Sequence, residues 1–171
     1  PKDVFSKWEK MSKSKGNVVD PLEIINTYGA DAMRIALASS ATQSAQIDLD
    51  VRRFEEFKHF INKIWNSSRF ALINLSITSK DLQDGLDLSL LTLEDHWIFS
   101  RLNNVITRVR AHLDNFYFDK AALDSYSFFW DELCAFYVEI IKPVLFGKKG
   151  SKKEQLNKQK VLLITLLAAL R

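Results

Sequence analysis

The chain has 171 residues, 47% of them hydrophobic, with twelve Phe, four Trp and four Tyr: material for one sizeable core, as one domain or one domain with an appended piece. Cys134 is its single cysteine, which excludes an internal disulfide and fits a reducing compartment. No signal peptide opens the chain, and no apolar run reaches the roughly 18 residues that span a bilayer, so a soluble cytoplasmic protein is expected. The net charge of +3 is local: residues 148–160 hold six Lys and one Glu, and the rest of the chain is slightly acidic. A cluster of that kind can face RNA phosphates, although a Lys-rich run is more often a solvated loop.

Residues 1–9 are too short for a domain and read as the tail of a preceding element. Lys10-Met11-Ser12-Lys13-Ser14-Lys15-Gly16-Asn17 then threads three lysines with two serines before a glycine. Lysine puts a compact ammonium on a flexible stem, suited to following a moving phosphate charge, and serine adds hydroxyl donors. Asp20-Pro21-Leu22-Glu23 has the parts of a helix start: a capping Asp, Pro at the first helical position, and Glu to complete a capping box. That helix ends near Tyr28-Gly29, and Asp31 caps a second, Ala32 to about Ser39. Ile47-Asp48-Leu49 alternates too briefly for more than a short strand.

From Asp50 the period becomes helical. Phe54, Phe57, Ile61, Ile64, Ser68, Ala71 and Leu75 step by three and four, the mark of a long amphipathic helix. Residues 78–91 connect. Thr92 or Glu94 opens the next helix, with Ile98, Leu102, Val105, Val109, His112 or Leu113, and Phe116 as its stripe. Asp119 opens a third, with Leu123, Tyr126, Trp130, Leu133, Tyr137, Ile140 and Val144 on one face, ending at Pro143 and Gly147. A Lys-rich linker over 147–153 leads to a last helix, whose apolar stretch from Val161 to Leu170 expects a partner or a continuation. These elements predict an all-α chain: an antiparallel helical bundle over 49–171, preceded by a 1–48 segment with little strand.

Catalytic constellations are scarce. His59, His96 and His112 have no partner at ligand spacing, so no metal site is expected. The aromatic cluster Tyr126, Phe128, Phe129, Trp130, Phe136 and Tyr137 could stack on bases, but at helical spacing it reads as core. Cys134 reads as a small buried thiol.

Residues 10–24 resemble the ATP-side signature loop of the class I aminoacyl-tRNA synthetases. Phe60-Ile61-Asn62-Lys63-Ile64-Trp65-Asn66-Ser67-Ser68-Arg69-Phe70 is similar to the opening helix of the anticodon-binding bundle in the valyl branch of that family, and Leu93-Glu94-Asp95-His96-Trp97-Ile98-Phe99-Ser100-Arg101-Leu102-Asn103 to its next helix. Ser39 to Gln43 and Ile47-Asp48 also fit the valyl branch; the isoleucyl and leucyl branches share the loop and suit these segments less well. The resemblance covers residues 10–146. Trp8 stands where the family usually has Gly, Ser44-Ala45 where a Gly is common, and Phe57 where Tyr is common.

The resemblance implies an enzyme that ligates valine to its tRNA with ATP, Mg2+ accompanying the nucleotide in the full enzyme. It divides the chain into the end of a catalytic domain with stem-contact segment, 1–48, and an anticodon-binding bundle, 49–171. The nucleotide-binding sheet with its His-Ile-Gly-His-type motif is not in this sequence, so this chain alone is expected to be inactive. Lys10 and Lys13 are the expected catalytic residues, and Lys10, Met11, Ser12, Lys13 and Ser14 the residues against the ATP phosphates. Lys63 and Asn66 on one helix, and Arg101, Asn104 and Arg108 on the next, are the candidate tRNA contacts; the last three share a face by spacing. Neither a membrane nor DNA is an expected partner. Two other readings are an RNA-binding module without enzymatic role and a helical scaffold for protein.

Overall fold

The computed structural model describes residues 11, 12, 14, 18–42 and 50–171. Lys10, Lys13 and the short strand expected at 47–49 lie outside the described residues. Among the described residues the architecture is helical throughout: α1 (Pro21–Tyr28), α2 (Ala30–Ser40), α3 (Val51–Asn74), α4 (Ser79–Gln83), a 3-10 turn (Leu88–Leu90), α5 (Leu93–Asp114), α6 (Phe118–Ser127), a π-helical stretch (Phe128–Tyr137), α7 (Val138–Leu145) and α8 (Lys152–Ala169). The connecting stretch thus contains two short helical pieces that periodicity did not reveal.

The helix starts follow local chemistry. Asp20 accepts from the Leu22 N–H at 2.9 Å with Pro21 at the first position of α1. Asp50 accepts from the Arg52 N–H at 2.9 Å to start α3. Thr92 with Asp95, and Ser151 with Glu154, form reciprocal capping boxes. Asp31 is not a cap: Gly29, at φ 94°, starts α2, and Asp31 sits in the first turn. The reason is that a left-handed glycine reverses the chain so tightly that α2 begins at once.

The third long helix corrects the expected stripe. Phe118 to Leu145 is one rod, since Phe128 and Val138 keep right-handed helical dihedrals at its two transitions. A row spaced by four, Phe129, Leu133, Tyr137, Ile141 and Leu145, is buried, each 3% exposed or less, while Leu123 and Ile140 are 64% and 39% exposed. Steps of four run ahead of an α-helical face by about 40° each. The i→i+5 winding of residues 128–137 takes up that drift and keeps the row on the core.

Phe54, Phe57 and Phe60 of α3, with Ile98, Leu102 and Val105 of α5 and Val161, Leu162 and Leu166 of α8, complete the core. Phe60 lies edge-on to Phe129 at 6.0 Å and tilted on Tyr126 at 4.7 Å. Periodicity puts Phe116 on the α5 stripe; instead α5 ends at Asp114, and Phe116 is 74% exposed at φ 59°. Its N–H reaches the Leu113 carbonyl and that of Tyr117 the His112 carbonyl, a Schellman closure with Phe where glycine is usual.

α1 and α2 are mounted on α3. Tyr28 packs on Phe54 with ring centres 6.1 Å apart, Lys58 Nζ donates to the Thr27 carbonyl at 2.9 Å, and Arg53 donates to Ser40 Oγ at 2.7 Å. The segment that follows the lysine-serine loop is therefore latched directly to the first long helix of the bundle.

The basic tract near the C-terminus is also corrected. Ser151 starts α8, and Asn157, Lys158 and Gln159 within the tract are buried. Gln159 accepts from the Ser76 N–H at 2.9 Å, Asn157 exchanges two bonds with the Asp87 backbone at 2.9 and 3.0 Å, and Lys160 donates to the Gly85 carbonyl at 2.6 Å. These side chains tie the connector between α3 and α5 to α8.

Candidate nucleic-acid interface

Of the loop residues, Met11 is 44% exposed, and the hydroxyls of Ser12 and Ser14 lie 2.7 Å apart, so one donates to the other. The loop leads through Val19, which packs on the core, into the Asp20 cap of α1. Val19 and Asp20, beyond the lysine-serine stretch in sequence, are thus held by the core and by the start of α1.

Lys63 and Asn66 come together. Both line a cleft of about 160 Å³ between α3 and the rod, with Phe70, Cys134 and Lys142. The Lys63 ammonium stands 5.3 Å from the centre of the Trp130 ring, a cation–π distance. Lys142 pairs with Glu139 at 2.5 Å. Cys134 is buried against the Ser67 hydroxyl at 3.1 Å; burial pushes its thiol up, which keeps it protonated and unreactive.

Arg101, Asn104 and Arg108 occupy a separate place, the seam where α5 runs antiparallel to the rod. Arg101 donates Nε to Glu132 at 2.6 Å and Nη2 to its other oxygen at 2.5 Å. Arg108 Nε and His112 Nε2 each lie 3.3 Å from the same oxygen of Asp124. Trp97 meets Phe136 edge-on at 4.8 Å one turn before Arg101. Asn104 is exposed between the two arginines. The structure therefore divides the five predicted contact residues between two surfaces; it sets Glu132 and Asp124, which the sequence reading did not single out, against Arg101 and Arg108, and Trp130, which reads as core, against Lys63. An antiparallel hairpin of α5 and the rod would have paired residues 97 with 136, 101 with 132 and 108 with 124, which is the signal that was available.

The aromatic cluster is mainly core, as its spacing implied: Phe128, Phe129 and Tyr137 are buried, and Phe136 is 49% exposed. Among the described residues no group of three His, Cys, Asp or Glu side chains converges on a metal position. No helix among them is long and apolar enough to cross a membrane.

Comparison with known proteins accounts for both parts of this arrangement. Residues 95–171 match the family model for the anticodon-binding domain of tRNA ligase, and residues 5–50 that for class I tRNA synthetases (I, L, M and V). The chain is 58% identical to the valine–tRNA ligase of Protochlamydia amoebophila over 100% of its own length and 19% of that protein. It is 52% identical to the valine–tRNA ligase of Chlamydia abortus over 98% of its length and 18% of that protein. The chain thus spans about a fifth of the length of the curated relatives it matches. Its fold resembles a chain in the crystal structure of the Agrobacterium radiobacter K84 agnB2 LeuRS–tRNA–LeuAMS ternary complex. There the TM-score is 0.61 at 23% identity, over 93% of this chain and 19% of that one.

Proposed function

We propose the following role for this chain, which belongs to the valyl branch of the class I aminoacyl-tRNA synthetases: within the whole enzyme it supplies the ATP-side signature loop and the helical bundle that holds the tRNA anticodon. The observation that carries this reading is the 58% identity to a valine–tRNA ligase along the entire chain, loop and bundle together. The division between the two parts falls near residue 48, just before the Asp50 cap of α3. The carboxylate of valine attacks the α-phosphate of ATP, which arrives with Mg2+ as substrate; pyrophosphate leaves, and the valyl group then passes from the adenylate to a hydroxyl at the tRNA 3′ end, releasing AMP. The protein works in the cytoplasm, where its substrates are.

In this reading Lys10 and Lys13 approach the ATP phosphates, with Lys13 on the departing pyrophosphate, while Ser12 and Ser14 hold the loop and offer donors. Lys63, Asn66, Arg101, Asn104 and Arg108 face tRNA. The latch of α1 and α2 onto α3, through Lys58 and Arg53, supports a mechanical link between the loop and the bundle. Movement of the bundle on its tRNA is then felt where adenylate forms.

The test is a transplant. This chain replaces the corresponding fifth of the Protochlamydia amoebophila enzyme, and valine-dependent ATP–pyrophosphate exchange and tRNA charging are measured. Both activities are expected to persist, and Lys13→Ala in the transplant is expected to abolish most of the exchange. A folded chimera that exchanges pyrophosphate with isoleucine and not with valine would overturn the valyl reading.

A further inference from the structure

α1 and α2 end without cations of their own: neither has a basic residue in its last turn. The last carbonyls of a helix carry partial negative charge and lack partners within it, so a cation there is favoured. α3 supplies one to each. Lys58 Nζ donates to the Thr27 carbonyl in the last turn of α1 at 2.9 Å, with its ammonium 5.8 Å from the centre of the Tyr28 ring. Arg53 Nη1 donates to Ser40 Oγ at 2.7 Å and reaches the Ser39 carbonyl at 3.5 Å, at the end of α2. Both residues are exposed, so neither fills the core. Between these two bonds the junction is apolar: Tyr28 lies against Phe54, Ile24, Ala32 and Ala36 are buried, and Val19 packs on the same core. Apolar contact is non-directional and resists separation more than small tilts, whereas hydrogen bonds are directional. Lys58 and Arg53 lie about 7.5 Å apart along α3, five residues at about 1.5 Å each, so together they set orientation as well as position.

α1 carries the consequence. Its other end is the Asp20 cap, on the side from which the lysine-serine stretch arrives in sequence. With eight residues α1 is about 12 Å long, so a tilt of about 5° at Thr27 carries Asp20 by about 1 Å. A misplacement of about 1 Å between reacting groups can cost about a hundredfold in rate.

We propose that Lys58 and Arg53 are positioning residues for valine activation: by bonding the C-terminal ends of α1 and α2 they set the angle of the helix that follows the signature loop, and through it the place of the loop lysines against ATP. The inference rests on the reading of residues 10–17 as the ATP-side loop. It concerns adenylate formation itself and requires no tRNA. Neither side chain acts on a substrate; each acts through the helix end that it holds.

The experiment follows single-turnover valyl-adenylate formation across ATP concentrations, without tRNA, in the transplanted enzyme. Lys58→Ala and Arg53→Ala are each expected to lower the rate at saturating ATP by about tenfold or more, while the apparent ATP affinity stays within about twofold. Lys58→Arg keeps a donor for the Thr27 carbonyl and is expected to restore most of the rate. Arg52→Ala removes the same charge from the same helix, but its partner is Asp50, outside α1 and α2, and the rate is expected to stay as it was. Thermal melts followed by circular dichroism are expected to match the unaltered enzyme for every variant, because the side chains removed are exposed. If Lys58→Ala and Arg53→Ala leave the saturating rate unchanged while Lys13→Ala abolishes it, the proposal is overturned and the loop reading stands. The proposal is overturned as well if the loss is only in ATP affinity, if Arg52→Ala gives the same loss, if Lys58→Arg recovers nothing, or if the loss comes with a lowered melting temperature. If Lys13→Ala also leaves the rate unchanged, the loop reading falls, and this inference with it.

Discussion

Lys158 and Asp95 meet at 2.5 Å with side chains only 5% and 1% exposed. Lys158 also donates to the Thr92 hydroxyl at 2.8 Å, and the Tyr137 hydroxyl donates to the other Asp95 oxygen at 2.6 Å. One carboxylate thus caps α5, receives the π-helical stretch and pins α8. Burial pushes the Asp95 carboxyl up, but its bonds from Lys158, Tyr137 and the Thr92 N–H outweigh that and hold it below the ordinary carboxylate range. Burial, and then the bond to Asp95, raises the Tyr137 phenol well above its usual value.

Removing one partner leaves a buried charge unpaired. Lys158→Met should cost about 3–5 kcal/mol, and Asp95→Asn in the same background should recover part of it. Urea unfolding of the two single variants and the double variant measures the coupling. Additive losses would mean that the two side chains stabilise the fold independently.

The same pair sets an acid limit. A carboxylate whose folded pKa is depressed contributes stability above its unfolded pKa, about 3.9, and loses it as pH falls through the lower folded value. Stability should therefore drop below about pH 4, and Asp95→Asn should flatten that limb while lowering the neutral plateau. Thermal melts at intervals from pH 7 to pH 3 give both curves.

The row of positions on the rod can be tested by contrast. Phe129→Ala should destabilise by about 3–5 kcal/mol, since it empties a buried aromatic site. Leu123→Ala, on a face that α-helical periodicity alone would have buried, should stay within about 0.5 kcal/mol. Equal losses at both positions, read from denaturant midpoints, would restore the continuous α-helical stripe.

Phe116 holds a left-handed conformation that costs an L-residue roughly 1–2 kcal/mol. Phe116→Gly should relieve it at a position 74% exposed and raise stability by about 1 kcal/mol. A lower melting temperature would show that the Phe116 ring, edge-on to Phe118 at 6.2 Å, contributes more packing than the strain removes.

For the reaction, Lys13→Ala in the transplanted enzyme should slow adenylate formation at saturating ATP by roughly a hundredfold or more, the effect of removing a donor aimed at developing charge. ATP affinity should change little, because an ammonium that meets the charge only as pyrophosphate departs contributes little to the ground state. Single-turnover rates across ATP concentrations separate the two. Unchanged saturating rates with weaker ATP binding would make Lys13 a ground-state ligand. The chain alone should give no valine-dependent pyrophosphate exchange above its Lys13→Ala control, because catalysis of acyl activation needs both halves of the site in register.

Much of this molecule is legible along its sequence. Asp20-Pro21, Asp50 and Thr92 announce helix starts because capping is local, a side chain serving an N–H two or three residues on. The α3 and α5 stripes show for the same reason, since their winding is regular. What only the tertiary structure decided is where regularity or locality fails. The rod departs from the α-helical period to keep Phe129, Leu133, Tyr137, Ile141 and Leu145 on the core, which no fixed-period reading anticipates. Lys158, in what reads as a solvated basic run, is buried because Asp95 lies 63 positions away in sequence and 2.5 Å away in space. Arg101 reads as an open cation until Glu132 arrives from the antiparallel helix. Composition and period report what a side chain is; its charge, exposure and reach are set by partners that only folding brings within bonding distance.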